Sequence, residues 1–194
     1  MLVLNRNKML FIHIPKSGGT SLRSYLGLLD GDKREEGNKH SWLDTEELRC
    51  KYQHYIKFTV VRNCYRRIAS YYSFLKHKNA GFERFPEDFV SFLKLRKDKL
   101  ESDTEINRWM YMDQTKYILT EAGEKTVDII IDYDNLDDEV GELLKKRNML
   151  RPSVSMRSLN VTPAYNYMGL YTDEAVAIVN QLCETEIEYF GWKL

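Results

Sequence analysis

Paired cysteines are missing from this chain. Its 194 residues hold three, Cys50, Cys64 and Cys183, which are scattered, odd in number and without a C-x-x-C pair. That argues against a disulfide framework and a zinc site, and a reducing compartment fits best. Excess charge of either sign is missing too, since 29 basic residues balance 29 acidic ones. Without a net field, neither nucleic acid nor an anionic membrane surface is an expected partner. No apolar run is long enough to span a bilayer, and none follows a basic N-terminus. No integral membrane segment is therefore expected, and the expected location is cytoplasmic. Repeats, low-complexity tracts and Pro/Ser-rich linkers are absent. A chain of this length buries one full core, which predicts a single domain over 1–194. Nothing in the sequence sets an oligomeric state.

What the chain does have is an alternation of strand and helix. Continuous apolar runs predict buried strands over Met9–Ile14, Phe58–Val61 and Val127–Ile131. Apolar spacing predicts helices over Thr20–Leu29, Trp42–Tyr55, Tyr65–Lys76, Pro86 to about Lys97, Ile106–Leu119, Leu136–Met149 and Thr172–Tyr189. Asp30–His40, rich in Gly, Asn and charge, reads as a mobile surface loop, and Arg151–Met168 as a long functional loop. The order predicts an α/β fold of three layers, with a central, mainly parallel sheet flanked by helices. Ligands of such folds sit at the carboxyl ends of the strands.

One segment stands at such an end. Phe-Ile-His-Ile-Pro-Lys-Ser-Gly-Gly-Thr-Ser-Leu, residues 11–22, runs from a strand through a Gly-rich turn into a helix. Gly18 and Gly19 let the backbone turn its N–H groups toward one oxyanion, and the helix start adds donors and a positive dipole end. Lys16, Ser17, Thr20 and Ser21 supply side-chain donors. The fold this predicts is P-loop-like, and the guest is a phosphate or a sulfate ester. A nucleoside-triphosphate loop wants its lysine after the glycines, in G-x-x-x-x-G-K-[ST]. Here Lys16 precedes them, and no Walker-type acid for a magnesium ion stands out after a strand. No metal-ligand cluster is visible, and no metal is expected.

A second constellation, Val60-Val61-Arg62-Asn63-Cys64-Tyr65-Arg66-Arg67-Ile68-Ala69-Ser70-Tyr71, again leaves a strand and enters a helix. The planar donor fork of Arg62 suits a second phosphate, and Ser70 lies two helical turns on. Two anion sites at neighbouring strand ends call for a ligand with two separated anionic groups.

These segments resemble the sulfotransferases that use 3′-phosphoadenosine 5′-phosphosulfate (PAPS), above all the Golgi-type carbohydrate sulfotransferases and their bacterial relatives. The family's F-I-H-[IV]-P-K-[ST]-G-G-[ST]-S segment binds the 5′-phosphosulfate and is matched at nearly every position. Its [VI]-R-[ND]-P-[YW]-[DE]-R-x-x-S segment binds the 3′-phosphate and is matched at Arg62, Asn63, Tyr65, Arg67 and Ser70. Cys64 stands where proline is usual, and Arg66 where an acid is usual. Weaker similarity runs through Ile131–Leu136 and the C-terminal Tyr-Thr-Asp-Glu…Ile-Glu-Tyr-Phe-Gly-Trp pattern, so it spans nearly the whole chain.

The resemblance implies PAPS as co-substrate, a hydroxyl acceptor (expected to be a carbohydrate) and no metal. Lys16 is implied as the group facing the leaving oxygen. His40, in Asn38-Lys39-His40-Ser41-Trp42-Leu43-Asp44, resembles the base segment of uronyl 2-O-sulfotransferases; the same residue also fits a solvated loop or helix-cap histidine. His13 reads as a packed structural residue. Trp109 and Gln114 resemble substrate-facing positions, and equally fit one face of a core helix. Arg157 and Asn160 are placed to close over the co-substrate, and equally fit a plain surface loop. Two rival functions stay open. A PAPS-binding module without turnover would bind the nucleotide and transfer nothing. A P-loop small-molecule phosphotransferase would turn over ATP with magnesium.

Overall fold

The computed structural model describes residues 1–38, 40–78, 86, 88–100, 113–151, 156 and 167–194, with the main chain alone for 78 and 96–100. The chain divides into two compact units: Met1–Arg62 with Gln114–Asn160, and Asn63–Asp113 with Val161–Leu194. The described helices are α1 (Gly19–Leu29), α2 (Glu46–Lys51), α3 (Cys64–Lys78), α4 (Phe89–Leu100), α5 (Leu136–Lys146), α6 (Asp173–Leu182) and α7 (Glu184–Phe190). None is long and apolar enough to cross a membrane.

The first unit is built on one sheet of five strands, β1 (Leu2–Leu4), β2 (Met9–Ile12), β3 (Lys33–Glu35), β4 (Ile56–Val61) and β5 (Ile129–Asp132), in the order β3-β1-β2-β4-β5. β2, β4 and β5 are parallel neighbours, with Phe11 opposite Phe58 and Phe58 opposite Ile129. These are the strands predicted from the three apolar runs. Leu22, Leu26 and Leu29 of α1 and Val140, Leu143 and Leu144 of α5 form one core with Leu4, Phe11, Phe58, Val60 and Ile131. Val3, Leu10 and Ile12, of opposite parity, are buried as well, so both faces of these strands are covered. Double coverage is why β2 is apolar without alternation.

Two antiparallel strands were not predicted. β1 pairs with both β2 and β3, is only three residues long, and has no room to show a period. Every side chain of β3 is exposed, so its pairing is carried by main-chain hydrogen bonds that leave no apolar signal. The expected loop over Asp30–His40 is thus an edge strand followed by a buried histidine.

The second unit is helical. Tyr72 of α3 meets Phe89 and Phe92 of α4 edge-on, each at 5.1 Å between ring centroids. Arg67 of α3 is buried and pairs with the buried Glu186 of α7 at 2.6 Å. The Cys64 and Cys183 sulfurs and the Glu186 carboxylate lie within 4.8 Å of one another. A hydrogen bond with Cys64, and then burial, push the Cys183 thiol pKa up, which keeps it protonated and unreactive.

Several boundaries differ from the sequence reading. The helix expected over Trp42–Tyr55 shrinks to α2, where Thr45 accepts from the Leu48 N–H at 3.3 Å and fixes the start. α4 opens at Phe89 rather than Pro86, because Asp88 accepts from the Ser91 N–H at 2.8 Å. The helix expected over Thr172–Tyr189 is two, α6 and α7, interrupted at Cys183 with φ −120°. Of the helix expected over Ile106–Leu119, the described part holds a 3-10 turn at Gln114–Tyr117; residues 106–112 lie outside the described residues.

Candidate active site

The carboxyl ends of three parallel strands deliver the site. β2 runs through His13 and Ile14 into the Gly-rich turn, β4 ends immediately before Arg62, and β5 ends immediately before Tyr133. In the turn, Lys16 and Gly18 both adopt left-handed backbone, at φ 65° and 73°. Alternation of this kind points successive N–H groups to one side, the geometry of an anion nest. Gly18 has a steric reason as well, since a Cβ there would stand 2.8 Å from Tyr133 Cε2. At Gly19 a Cβ would stand 1.8 Å from His13 Cδ2, so the His13 ring lies directly on the helix start.

The donors at this turn suit an oxyanion. α1 begins without a side-chain cap and without an acid in its first turn, so its first N–H groups are not taken by a cap. Thr20 is exposed and Ser21 buried within that turn. Ser17 is buried, and its hydroxyl oxygen has no hydrogen-bond partner among the described residues. A buried hydroxyl left this way costs about 1–3 kcal/mol, which contact with an oxyanion recovers. Burial, and then the charge of Arg62, push the Lys16 ammonium pKa down to about 8. A pair of neighbouring cations at an uncapped helix start is stabilised by an anion between them.

Arg62 is held from several directions. Its Nη1 donates to the Lys16 carbonyl at 3.1 Å. Its guanidinium carbon lies 4.2 Å from the centroid of the Tyr133 ring. Gln114, fully buried, accepts from the Arg62 N–H at 3.0 Å and donates to the Arg62 carbonyl at 2.8 Å. Gln114, expected as a sugar contact, thus bonds the Arg62 main chain through its amide. A buried amide must satisfy both of its ends, and the main chain just past β4 offers one donor and one acceptor.

His40 is buried and follows β3 by way of Asn38, whose side-chain oxygen accepts from the His40 N–H at 2.8 Å. His40 Nδ1 lies 3.1 Å from the His13 carbonyl oxygen. A carbonyl only accepts, so Nδ1 carries a proton, and in the neutral form of the ring Nε2 is the basic nitrogen. The two imidazoles lie 4.6 Å apart between centroids. His13 is a packed residue, 3% exposed, and its main chain sets the tautomer of His40.

The second motif divides between the two units. Asn63, Tyr65 and Arg67 serve the helical unit. Asn63 accepts from the Tyr65 N–H at 3.0 Å and donates to the Lys193 carbonyl at 2.9 Å, Tyr65 bonds Asn180, and Arg67 pairs with Glu186. Ser70 is half-buried on α3. Trp109, Arg157 and Asn160 lie outside the described residues. Tyr133 escaped the sequence reading as a site residue, although its place after the third parallel strand was a usable signal. Gln114 gave no signal of its actual contact.

The model of the Sulfotransferase family matches residues 1–190, and the chain belongs to that family. It is accordingly an enzyme of sulfuryl transfer. Comparison with the curated proteins and with solved structures gives no significant match.

Proposed function

We propose that this protein transfers a sulfuryl group from PAPS to a hydroxyl of a carbohydrate, with His40 as the base. The observation that carries the reading is the meeting of Lys16 and Arg62 at the carboxyl ends of parallel β2 and β4, beside an uncapped helix start. PAPS supplies an activated sulfuryl group bound to a phosphate that leaves readily. The N–H groups opening α1, with Ser17, Thr20 and Ser21, hold the 5′-phosphosulfate. Lys16 neutralises charge growing on the leaving oxygen, which is where preorganised electrostatics contribute most. Arg62 holds the 3′-phosphate; stacking on Tyr133 uses its face and not its in-plane donors. Ser70, Arg157 and Asn160 keep the roles that the family resemblance gives them, and Trp109 that of a sugar platform. No residue in this scheme requires a metal.

His40 takes the acceptor proton on Nε2, the nitrogen left basic by the bond from Nδ1 to the His13 carbonyl. The carbohydrate acceptor is supported by the likeness of the Gly-rich turn and the His40 segment to carbohydrate sulfotransferases. Incubation with labelled PAPS and a panel of glycans, phenols and steroids tests it. Label on glycans is expected, and label only on phenols or steroids rejects the acceptor class. His40→Ala should lower kcat by about 10²–10⁴-fold with little change in nucleotide affinity. Unchanged turnover removes His40 as base. Tight nucleotide binding without transfer to any acceptor makes the chain a binding module instead.

A further inference from the structure

Arg62 stands beside a second cation, Lys16. After burial, the charge of Arg62 lowers the Lys16 pKa, and two neighbouring cations repel each other. A long side chain under that repulsion swings toward solvent unless something holds it. Two residues outside both sequence motifs do so. Gln114 takes the main-chain N–H and C=O of Arg62 together, as a paired strand would, one residue beyond the end of β4. The Tyr133 ring lies under the guanidinium at 4.2 Å and also fills the space over Gly18, where a Cβ would meet it at 2.8 Å. One ring thus touches both the anion turn and the arginine.

We infer that Gln114 and Tyr133 are positioning residues that hold Arg62 against the Lys16 turn before the nucleotide arrives, and so set affinity for the donor's 3′-phosphate. The inference rests on the reading of Arg62 as the 3′-phosphate ligand. Preorganisation of this kind raises affinity because the ordering cost is met during folding and not during binding.

The experiment compares 3′-phosphoadenosine 5′-phosphate (PAP) with 5′-AMP, which lacks the 3′-phosphate, by calorimetric titration of the whole chain. Tyr133→Leu and Gln114→Met should each weaken PAP by about tenfold or more while 5′-AMP changes much less. Tyr133→Phe, which keeps the ring, should recover most of the loss. A second readout needs no ligand. The pH midpoint for acylation of Lys16, followed by mass spectrometry, should rise in Tyr133→Leu toward that of an ordinary lysine, because Arg62 has moved away. Gln114→Met, which leaves the Tyr133 ring in place, should raise the midpoint as well, and there altered burial by the ring does not account for the rise. Equal losses for PAP and 5′-AMP, or an unmoved midpoint in folded Tyr133→Leu and Gln114→Met, overturn the inference. Failure of the parent reading looks different: the unaltered protein itself would not distinguish PAP from 5′-AMP, and the inference would fall with it.

Discussion

The guanidinium of Arg62 donates to the carbonyl oxygen of Lys16 at 3.1 Å, so the residue just past one parallel strand is bonded to the anion turn that follows its neighbour. The bond joins two cations into one unit. Burial, and then the charge of Arg62, hold the Lys16 pKa below its ordinary value.

The first consequence is a pH dependence of binding. Lys16 must be protonated to attract a phosphate, and its ammonium in the folded protein titrates near 8, against an ordinary 10.5. Above pH 8 the empty protein has lost the proton that the complex holds, so binding must take one up. PAP affinity should be flat below pH 8 and fall above it, with a slope approaching tenfold per pH unit. Calorimetry in buffers of different ionisation heat checks the proton uptake.

Stability should move in the opposite sense. A lysine whose folded pKa lies below its unfolded one costs stability while it is charged, and the cost fades as pH rises from about 8 to 10.5. Lys16→Met, which keeps the stem and drops the charge, should melt at or above the temperature of the parent at pH 7 while losing PAP binding. A markedly lower melting temperature contradicts this account of Lys16.

Gly19 tests the link between the anion turn and the base. Gly19→Ala puts a methyl 1.8 Å from His13 Cδ2 and 2.1 Å from Nε2, so the ring must move, and it lies 4.6 Å from the His40 ring. Overpacking of this kind costs about 1–3 kcal/mol. Turnover should fall with the shift of His40, and urea denaturation alongside a kinetic assay measures both.

Much of the anion turn was legible because its chemistry is local. A strand, a Pro-Lys-Ser-Gly-Gly-Thr-Ser turn and a helix start lie within a dozen residues, and the glycines meet backbone and steric needs that follow directly. The three parallel strands were legible for a similar reason, since burial on both faces writes continuous apolar runs. β1 and β3 were not, because main-chain pairing of short or exposed strands leaves no side-chain pattern. The Gln114 clamp was hidden because it joins residues 52 positions apart through an amide whose spacing also suits a helix face. Asn63, Tyr65 and Arg67 match the second motif and bond Lys193, Asn180 and Glu186 within the helical unit, which the motif alone does not indicate.

That packing is testable on its own. Glu186→Gln removes the partner of the buried Arg67 charge and should cost about 3–5 kcal/mol in urea denaturation. Replacing both, as Arg67→Met with Glu186→Leu, should recover most of the loss, because desolvation of the ions goes with them. A single substitution that costs nothing would show that the pair is not what fixes α3 against α7.

The account stands on Lys16 and Arg62 acting together on one doubly anionic nucleotide. Calorimetric titration of PAP into the unaltered protein, Lys16→Met and Arg62→Ala tests this most directly. The prediction is saturable one-to-one binding that each substitution weakens by at least about tenfold at pH 7. No binding by the unaltered protein, or equal binding by all three, would contradict it.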